Sequence, residues 1–182
     1  DNRLLKDHAT KPWEMKYQTI LSGNHSSTQT VFQWDPTNKK EVYTTSFPGN
    51  SYHVVWFATN GFDSKGRANA LAKTACVDGC EIREGYASNR TVTSRSHTSY
   101  GGGAYMTEGA ILRKCILTQN AAKRRGGAVY MDGGGRMENC YVTRNQTTGV
   151  GLTDGQGGGV CMEDGAPVVM NCIIENNSAR IG

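Results

Sequence analysis

Acidic residues beside glycine-rich turns are the first candidates for chemistry in this chain of 182 residues. The turn acids are Asp132, Asp154, Glu163 and Asp164, and arginines close to them in sequence are Arg136 and Arg144. Enzymes that cleave polysaccharides need carboxylates grouped on one exposed face. Asp132 and Glu163 are the catalytic candidates, because each directly follows a methionine of a repeated motif. The same acids can instead stabilise turns through bonds to the backbone, which is the interpretation that we favour.

Two further groups suit the recognition of sugars rather than catalysis. The basic run Lys123-Arg124-Arg125 could contact anionic glycans, although we favour a solvated charge run. Trp34, Tyr43 and Tyr52 could form a platform on which sugar rings stack. The same three aromatic residues could cap the open end of a repetitive fold, and we favour this second role.

Metal, cofactor and nucleic-acid sites have little support in the sequence. The four histidines are widely separated and form no zinc motif, and neither an EF-hand loop nor a nucleotide-binding glycine loop occurs. The net charge of +4 is small, and its basic residues form no stripe interleaved with aromatics. No run approaches the roughly 18 apolar residues of a membrane span. We therefore expect no metal, no cofactor, no nucleic-acid partner and no transmembrane segment.

The six cysteines allow two interpretations. An even number of cysteines in a secreted chain often indicates disulfides. Four of the six, however, share one pattern, in which an apolar residue stands three positions before the cysteine and another stands two positions after it. The four instances are Val77–Cys80–Ile82, Leu112–Cys115–Leu117, Met137–Cys140–Val142 and Val169–Cys172–Ile174. We expect these four to be buried thiols in one inward-facing column, with Cys76 and Cys161 as the candidates for oxidation.

A longer repeat contains this cysteine pattern. Each repeat has a glycine turn, a short apolar segment, the cysteine, and an asparagine five residues after it; the asparagines are Asn120, Asn145 and Asn177. Successive cysteines are 35, 25 and 32 residues apart, which is the length of one coil of a β-solenoid. The three-residue step before each cysteine breaks strand alternation and predicts a bend there. The asparagines are expected at corners, in the left-handed backbone conformation that Asn tolerates.

The repeat predicts an all-β fold, a right-handed parallel β-helix of the pectate-lyase-like solenoid class. We expect one domain over residues 1–182, with irregular coils and a hairpin in 1–75 and regular coils in 76–182. Thr19–Ser22 and Val54–Phe57 are predicted as buried strands, and a hairpin is expected between Trp34 and Asn50. The pattern stops part-way through a repeat at residues 179–182, so we expect a fragment or a short stack of coils.

These motifs resemble the right-handed parallel β-helix proteins of bacterial surfaces, especially the Bacteroidetes type. The segment Gly126-Gly127-Ala128-Val129 is also similar to the repeat of polymorphic outer-membrane proteins. The second mark of that repeat, Phe-x-x-Asn, occurs here with aliphatic residues in place of phenylalanine, as in Leu117-Thr118-Gln119-Asn120. The resemblance implies export and residence at a bacterial outer-membrane surface or outside the cell. It implies no particular reaction.

Two hypotheses for function follow. The first is a non-catalytic surface scaffold for adhesion, glycan contact or assembly of an envelope complex, with a glycan or another envelope protein as partner. The alternative is a polysaccharide lyase or glycoside hydrolase of the β-helix class. The sequence leans towards the scaffold, because it shows no column of acidic residues at equivalent positions of several coils.

Overall fold

The computed structural model describes residues 19–25, 32–35, 40–43, 50–57, 75–88, 97–151 and 154–180. In chain order the strands of these residues are β1 (Thr19–Ser22), β2 (Phe32–Asp35), β3 (Lys40–Tyr43), β4 (Val55–Trp56), β5 (Cys76–Asp78), β6 (Cys80–Arg83), β7 (Tyr86–Ala87), β8 (Ala104–Thr107), β9 (Ile111–Arg113), β10 (Ile116–Thr118), β11 (Ala121–Ala122), β12 (Val129–Asp132), β13 (Arg136–Glu138), β14 (Tyr141–Thr143), β15 (Gln146–Thr147), β16 (Val160–Glu163), β17 (Val168–Met170) and β18 (Ile173–Glu175). A short 3-10 helix, His97–Ser99, precedes β8.

The strands stack as coils of a solenoid. Three longer sheets have the orders β1-β6-β10-β14-β18, β4-β8-β12-β16 and β5-β9-β13-β17, and a fourth has the order β15-β11-β7. Every pairing in these four sheets is parallel, so equivalent residues of successive coils lie directly above one another. The predicted all-β, right-handed parallel β-helix is confirmed.

A single continuous core fills the inside of the coils. Inward-facing residues of β8, β9, β10, β12, β13 and β14 are fully buried; they are Ala104, Met106, Leu112, Leu117, Val129, Met131, Met137 and Val142. Because side chains alternate along each strand, a residue type that repeats once per coil fills the same layer each time. The cysteine and asparagine columns predicted from the sequence lie at two corners of this core.

Glycine is required where one coil passes closest to the next. Gly126 has a φ of 63°, a left-handed conformation that side chains rarely adopt. At Gly127 a Cβ atom would lie 2.1 Å from the carbonyl oxygen of Gly158 and 2.4 Å from that of Gln146. Both contacts are with backbone of neighbouring turns, so even alanine cannot be accommodated without moving a coil.

The corners beside the asparagines differ from the prediction. The residues with positive φ are the ones immediately before each ladder asparagine, namely Gln119 (57°), Arg144 (57°) and Asn176 (55°). The expectation that Asn120, Asn145 and Asn177 adopt this conformation was wrong. The preceding residue turns the corner, and the asparagine side chain then points inward to bond neighbouring coils. The residue before each cysteine behaves in the same way, since Lys114, Asn139 and Asn171 also have positive φ and make the predicted bend.

The N-terminal elements complete the same sheets. β1 pairs with β6 and β4 pairs with β8, as the predicted strands require. They were expected to be buried, but Ile20 is 44% exposed and Trp56 is 41% exposed, because each belongs to a strand at the end of its sheet or points outward. The predicted hairpin is present as the antiparallel pair β2–β3, with Trp34 opposite Glu41. The division of residues 1–182 as one domain stays a prediction.

Candidate binding face on the outer side of the solenoid

The outward residues of β4, β8 and β12 form an aromatic column. In the register of this sheet, Trp56 lies beside Tyr105, Tyr105 beside Tyr130, and Tyr130 beside Cys161 of β16. The alternation of each strand explains the arrangement, because the methionine that follows each tyrosine points into the core. A tyrosine repeated once per coil therefore builds a continuous outer stripe.

Further rings extend this column sideways. Tyr100 stacks on Tyr130 with ring centroids 4.7 Å apart, and Tyr105 lies 5.4 Å from Tyr130. His97, from the 3-10 helix, stacks on Trp56 at 4.9 Å with an interplanar angle of 16°. We call Trp56, His97, Tyr100, Tyr105 and Tyr130 the aromatic face. The three tyrosines are almost fully buried, whereas Trp56 remains substantially exposed.

His53 supports the aromatic face from beneath. Its Nδ1 lies 2.8 Å from the carbonyl oxygen of Gly101, so Nδ1 donates and Nε2 carries the lone pair. Nε2 is buried and has no hydrogen-bond partner. Burial lowers the pKa of His53 to about 4, assisted by the nearby charge of His97 and opposed by the bond to Gly101. The ring is therefore neutral at physiological pH and packs as an aromatic spacer against Tyr105, 5.7 Å away.

The two candidate catalytic acids lie at the same level of adjacent coils. Thr107, Asp132 and Glu163 are register partners, as their common position after a methionine predicted. The Tyr105 hydroxyl donates to Asp132 Oδ2 at 2.5 Å, and the Tyr130 hydroxyl donates to Glu163. Burial and these bonds raise the pKa of both tyrosines. The acids thus bind side chains of the preceding coil, which differs from the turn-backbone role that we favoured.

The basic run lies beside this face but is not a freely solvated cluster. Arg124 donates to Asp154 at 2.5 Å, and its guanidinium carbon lies 5.6 Å from the centre of the Tyr100 ring. Arg125 donates to Glu163 at 2.6 Å. Both arginine side chains are less than a quarter exposed. The expectation of a solvated run was therefore wrong for these two residues, and Lys123 is half-buried in the same turn.

The expected aromatic platform is not assembled by the described residues. Tyr52 is 44% exposed. Trp34 and Tyr43 lie on β2 and β3, but their side chains are outside the described part of the structure. Sequence reasoning missed Trp56, His97 and the tyrosines of the aromatic face. The available signal was the tyrosine between two inward residues in Ala104-Tyr105-Met106 and Val129-Tyr130-Met131.

The other arginine expected near the turn acids serves a different corner. Arg136 begins β13, forms an ion pair with Glu138, and donates to the Met170 sulfur at 3.1 Å. It lines a shallow groove of about 350 Å³ together with Glu108 and the glycines 133–135. Asp164 has a φ of 54° and occupies a turn. Arg144 is an exposed corner residue. These residues therefore contribute backbone turns and local ion pairs to the solenoid.

Within the described ranges, no group of three or more His, Cys, Asp and Glu side chains is arranged to hold a metal ion. A search of the same residues finds no helix with the length and apolar character that crossing a membrane requires.

Stacked parallel strands, inward columns of one residue per coil and a decorated outer face define the class of parallel β-helix solenoids. The chain belongs to the right handed beta helix region family, whose model matches residues 53–181. The match includes the coils that carry both columns and the aromatic face. No curated protein and no solved structure shows a significant match to the chain.

Proposed function

We propose that this chain is a non-catalytic β-helix scaffold that binds neutral carbohydrate on its aromatic face, at a bacterial cell surface or outside the cell. The observation that carries the proposal is the exposed Trp56 ring, held flat against His97 at 4.9 Å. A rigid aromatic ring with one accessible face suits the apolar face of a sugar ring. Since the ring is already held in place, little ordering entropy is lost on binding.

Charged groups around the ring supply hydrogen bonds for sugar hydroxyls. They are Arg124, Arg125, Asp132, Asp154 and Glu163, and each is partly accessible. Their ion pairs and tyrosine bonds hold them in one geometry before any ligand arrives. Three carboxylates against two guanidinium groups leave an excess of negative charge. This balance favours neutral sugars over uronic acids, because an acidic sugar would meet like charge.

The non-catalytic assignment rests on the bonding of the two acids. Asp132 accepts from Tyr105, and Glu163 accepts from both Tyr130 and Arg125. A substrate oxygen would have to compete with these partners for the same carboxylates. Structural use of the acids therefore explains their contacts more completely than catalysis does.

One observation favours the enzymatic alternative, a polysaccharide lyase or hydrolase. Asp132 and Glu163 are register partners on neighbouring strands, so their backbones lie about 4.8 Å apart. Retaining glycosidases hold their two carboxyl groups about 5–5.5 Å apart. An activity of this kind would require both carboxylates to exchange their present partners for substrate.

The test compares binding and turnover on one panel of neutral and uronic oligosaccharides. Trp56→Ala is the informative variant, and Tyr52→Ala is its matched control, since both residues are exposed aromatics near the same end of the solenoid. We expect a neutral sugar to bind without product release, and Trp56→Ala to weaken binding about tenfold. Equal loss in both variants, or preference for uronic acids, would contradict the proposal. Product release that disappears in Asp132→Asn would establish the enzyme instead.

A further inference from the structure

The ladder cysteines repeat one side-chain geometry in consecutive coils. The Sγ of Cys115, Cys140 and Cys172 each lies 3.2 Å from the carbonyl oxygen two residues earlier. Each Sγ also lies 3.6–3.7 Å from a carbonyl oxygen of the coil before. Identical contacts mean identical side-chain torsions. The sulfur atoms are therefore related by the same translation as the strands, about 4.8 Å per coil.

This spacing discriminates between two ways of joining neighbouring sulfurs. A disulfide needs sulfurs about 2.05 Å apart and Cβ atoms about 3.5–4.5 Å apart, which is closer than stacked residues lie. A metal ion between two thiolates, with metal–sulfur bonds of about 2.3 Å, separates the sulfurs by about 4.6 Å when the three atoms are collinear. All six cysteines are indeed thiols, without a disulfide among them. The column spacing suits a bridging ion better than a covalent bond.

We propose that the thiols of Cys140 and Cys172 bind one soft monovalent cation of the Cu(I) class as a two-coordinate site. Soft thiolate ligands select Cu(I) over the harder divalent ions, and two-coordination needs no third ligand. Cys140 is fully buried, whereas Cys172 is only half-buried, so the pair has a protein side and an accessible side. The inner pair with Cys115 offers the same spacing without that access.

The groups around the pair favour loss of the Cys172 proton. The backbone N–H of Cys140 points at the Cys172 Sγ, with nitrogen and sulfur 3.4 Å apart. The Cys140 thiol also donates to Cys172, and this bond lowers the pKa of Cys172 to about 7 although burial opposes the shift. Binding converts two thiols and one cation into a bis-thiolate complex of net charge −1. The two protons leave to the solvent, and no electrons are transferred.

The experiment titrates the full chain anaerobically with Cu(I), using bicinchoninate as the competing chromophoric chelator. The starting protein is C76S/C161S, so that the ladder provides all remaining thiols. We expect one Cu(I) per chain, about 100-fold weaker binding on addition of Cys172→Ser, and two sulfur neighbours by X-ray absorption. Cys172 is the preferred substitution because it is only half-buried, and circular dichroism checks that the coils remain folded.

Two further measurements make the outcome decisive. Because two protons are released, apparent affinity should fall steeply as the pH is lowered below about 7. Cys161→Ser alone should bind like the unmodified chain, since Cys161 faces outward on another sheet. Unchanged binding in the Cys172→Ser variant, nitrogen ligands around copper, or ready formation of a Cys140–Cys172 disulfide would each overturn the proposal.

Discussion

Replacing Asn145 tests whether the asparagine column holds the coils together. Its Nδ2 donates to the carbonyl oxygens of Leu117 and Thr143 at 2.9 Å, and its Oδ1 accepts from the backbone N–H and side-chain amide of Asn120 at 3.0 Å. A further bond joins Nδ2 to Asn177. The side chain is almost completely buried, so water cannot replace these partners.

The expected cost follows from the number of bonds. Asn145→Ala removes four bonds to neighbouring groups of its own and the preceding coil, each worth about 1 kcal/mol net. We therefore expect the free energy of unfolding to fall by about 4 kcal/mol, a large share of the 5–15 kcal/mol typical of a domain. Asn177→Ala is the matched control, because it removes the same chemistry from a half-buried position. It should cost about 1–2 kcal/mol, since water can reach the groups it leaves.

Asn145→Asp makes the same test sensitive to pH. A carboxylate at this position would face the carbonyl oxygens of Leu117 and Thr143, which can only accept. Burial and these carbonyls would raise the pKa of the new acid above its unfolded value near 4. The penalty is then present at neutral pH and is relieved as the pH falls through the folded-state pKa. Urea unfolding followed by circular dichroism measures all three variants. A cost below about 1 kcal/mol for Asn145→Ala, or no acid rescue of Asn145→Asp, would refute the reasoning.

Three other perturbations have defined outcomes. The pKa of His53 lies at about 4 in the fold against 6.5 for an unperturbed histidine, so its contribution is complete above pH 6.5 and is lost as the pH falls towards 4. The loss amounts to about 3 kcal/mol in urea titrations, and His53→Asn should flatten this pH dependence. Arg144→Asn should stabilise the chain by about 0.5–1 kcal/mol, measured as a higher urea midpoint, because Asn tolerates the positive φ that Arg144 adopts. Gly127→Ala should abolish soluble folded protein, and normal expression with a native circular dichroism spectrum would contradict the close backbone approach found there.

The columns were predictable because a β-helix repeats each position once per coil. Cys115, Cys140 and Cys172 occupy equivalent places in the repeat, and the strand registers place them in one stack. Burial of such a column follows from its apolar neighbours, which the sequence also displays. Backbone detail was less accessible. Whether the asparagine or the residue before it turns the corner depends on how the side chain reaches adjacent coils, and local propensity alone favoured the wrong residue.

The aromatic face was harder to predict, because its contacts join residues from three coils and from segments outside the regular repeat. Arg124 and Asp154 are 30 residues apart, and Arg125 and Glu163 are 38 residues apart. His97 approaches Trp56 from a 3-10 helix that has no counterpart in the repeat. A periodic pattern reports which residues share a column. It does not report which irregular segment packs over that column, and this packing decides which ring remains exposed.

The inner and outer columns are mechanically linked, because both derive their spacing from the same strand register. Tyr105 and Tyr130 each donate to an acid one coil further along, so the rim acids stay in place only while successive coils remain aligned. The asparagine column maintains that alignment from the opposite side of the core through Asn120 and Asn145. A rigid interior therefore makes the outer face rigid without contributing any atom to it. This coupling explains how a repetitive scaffold can present one irregular binding surface.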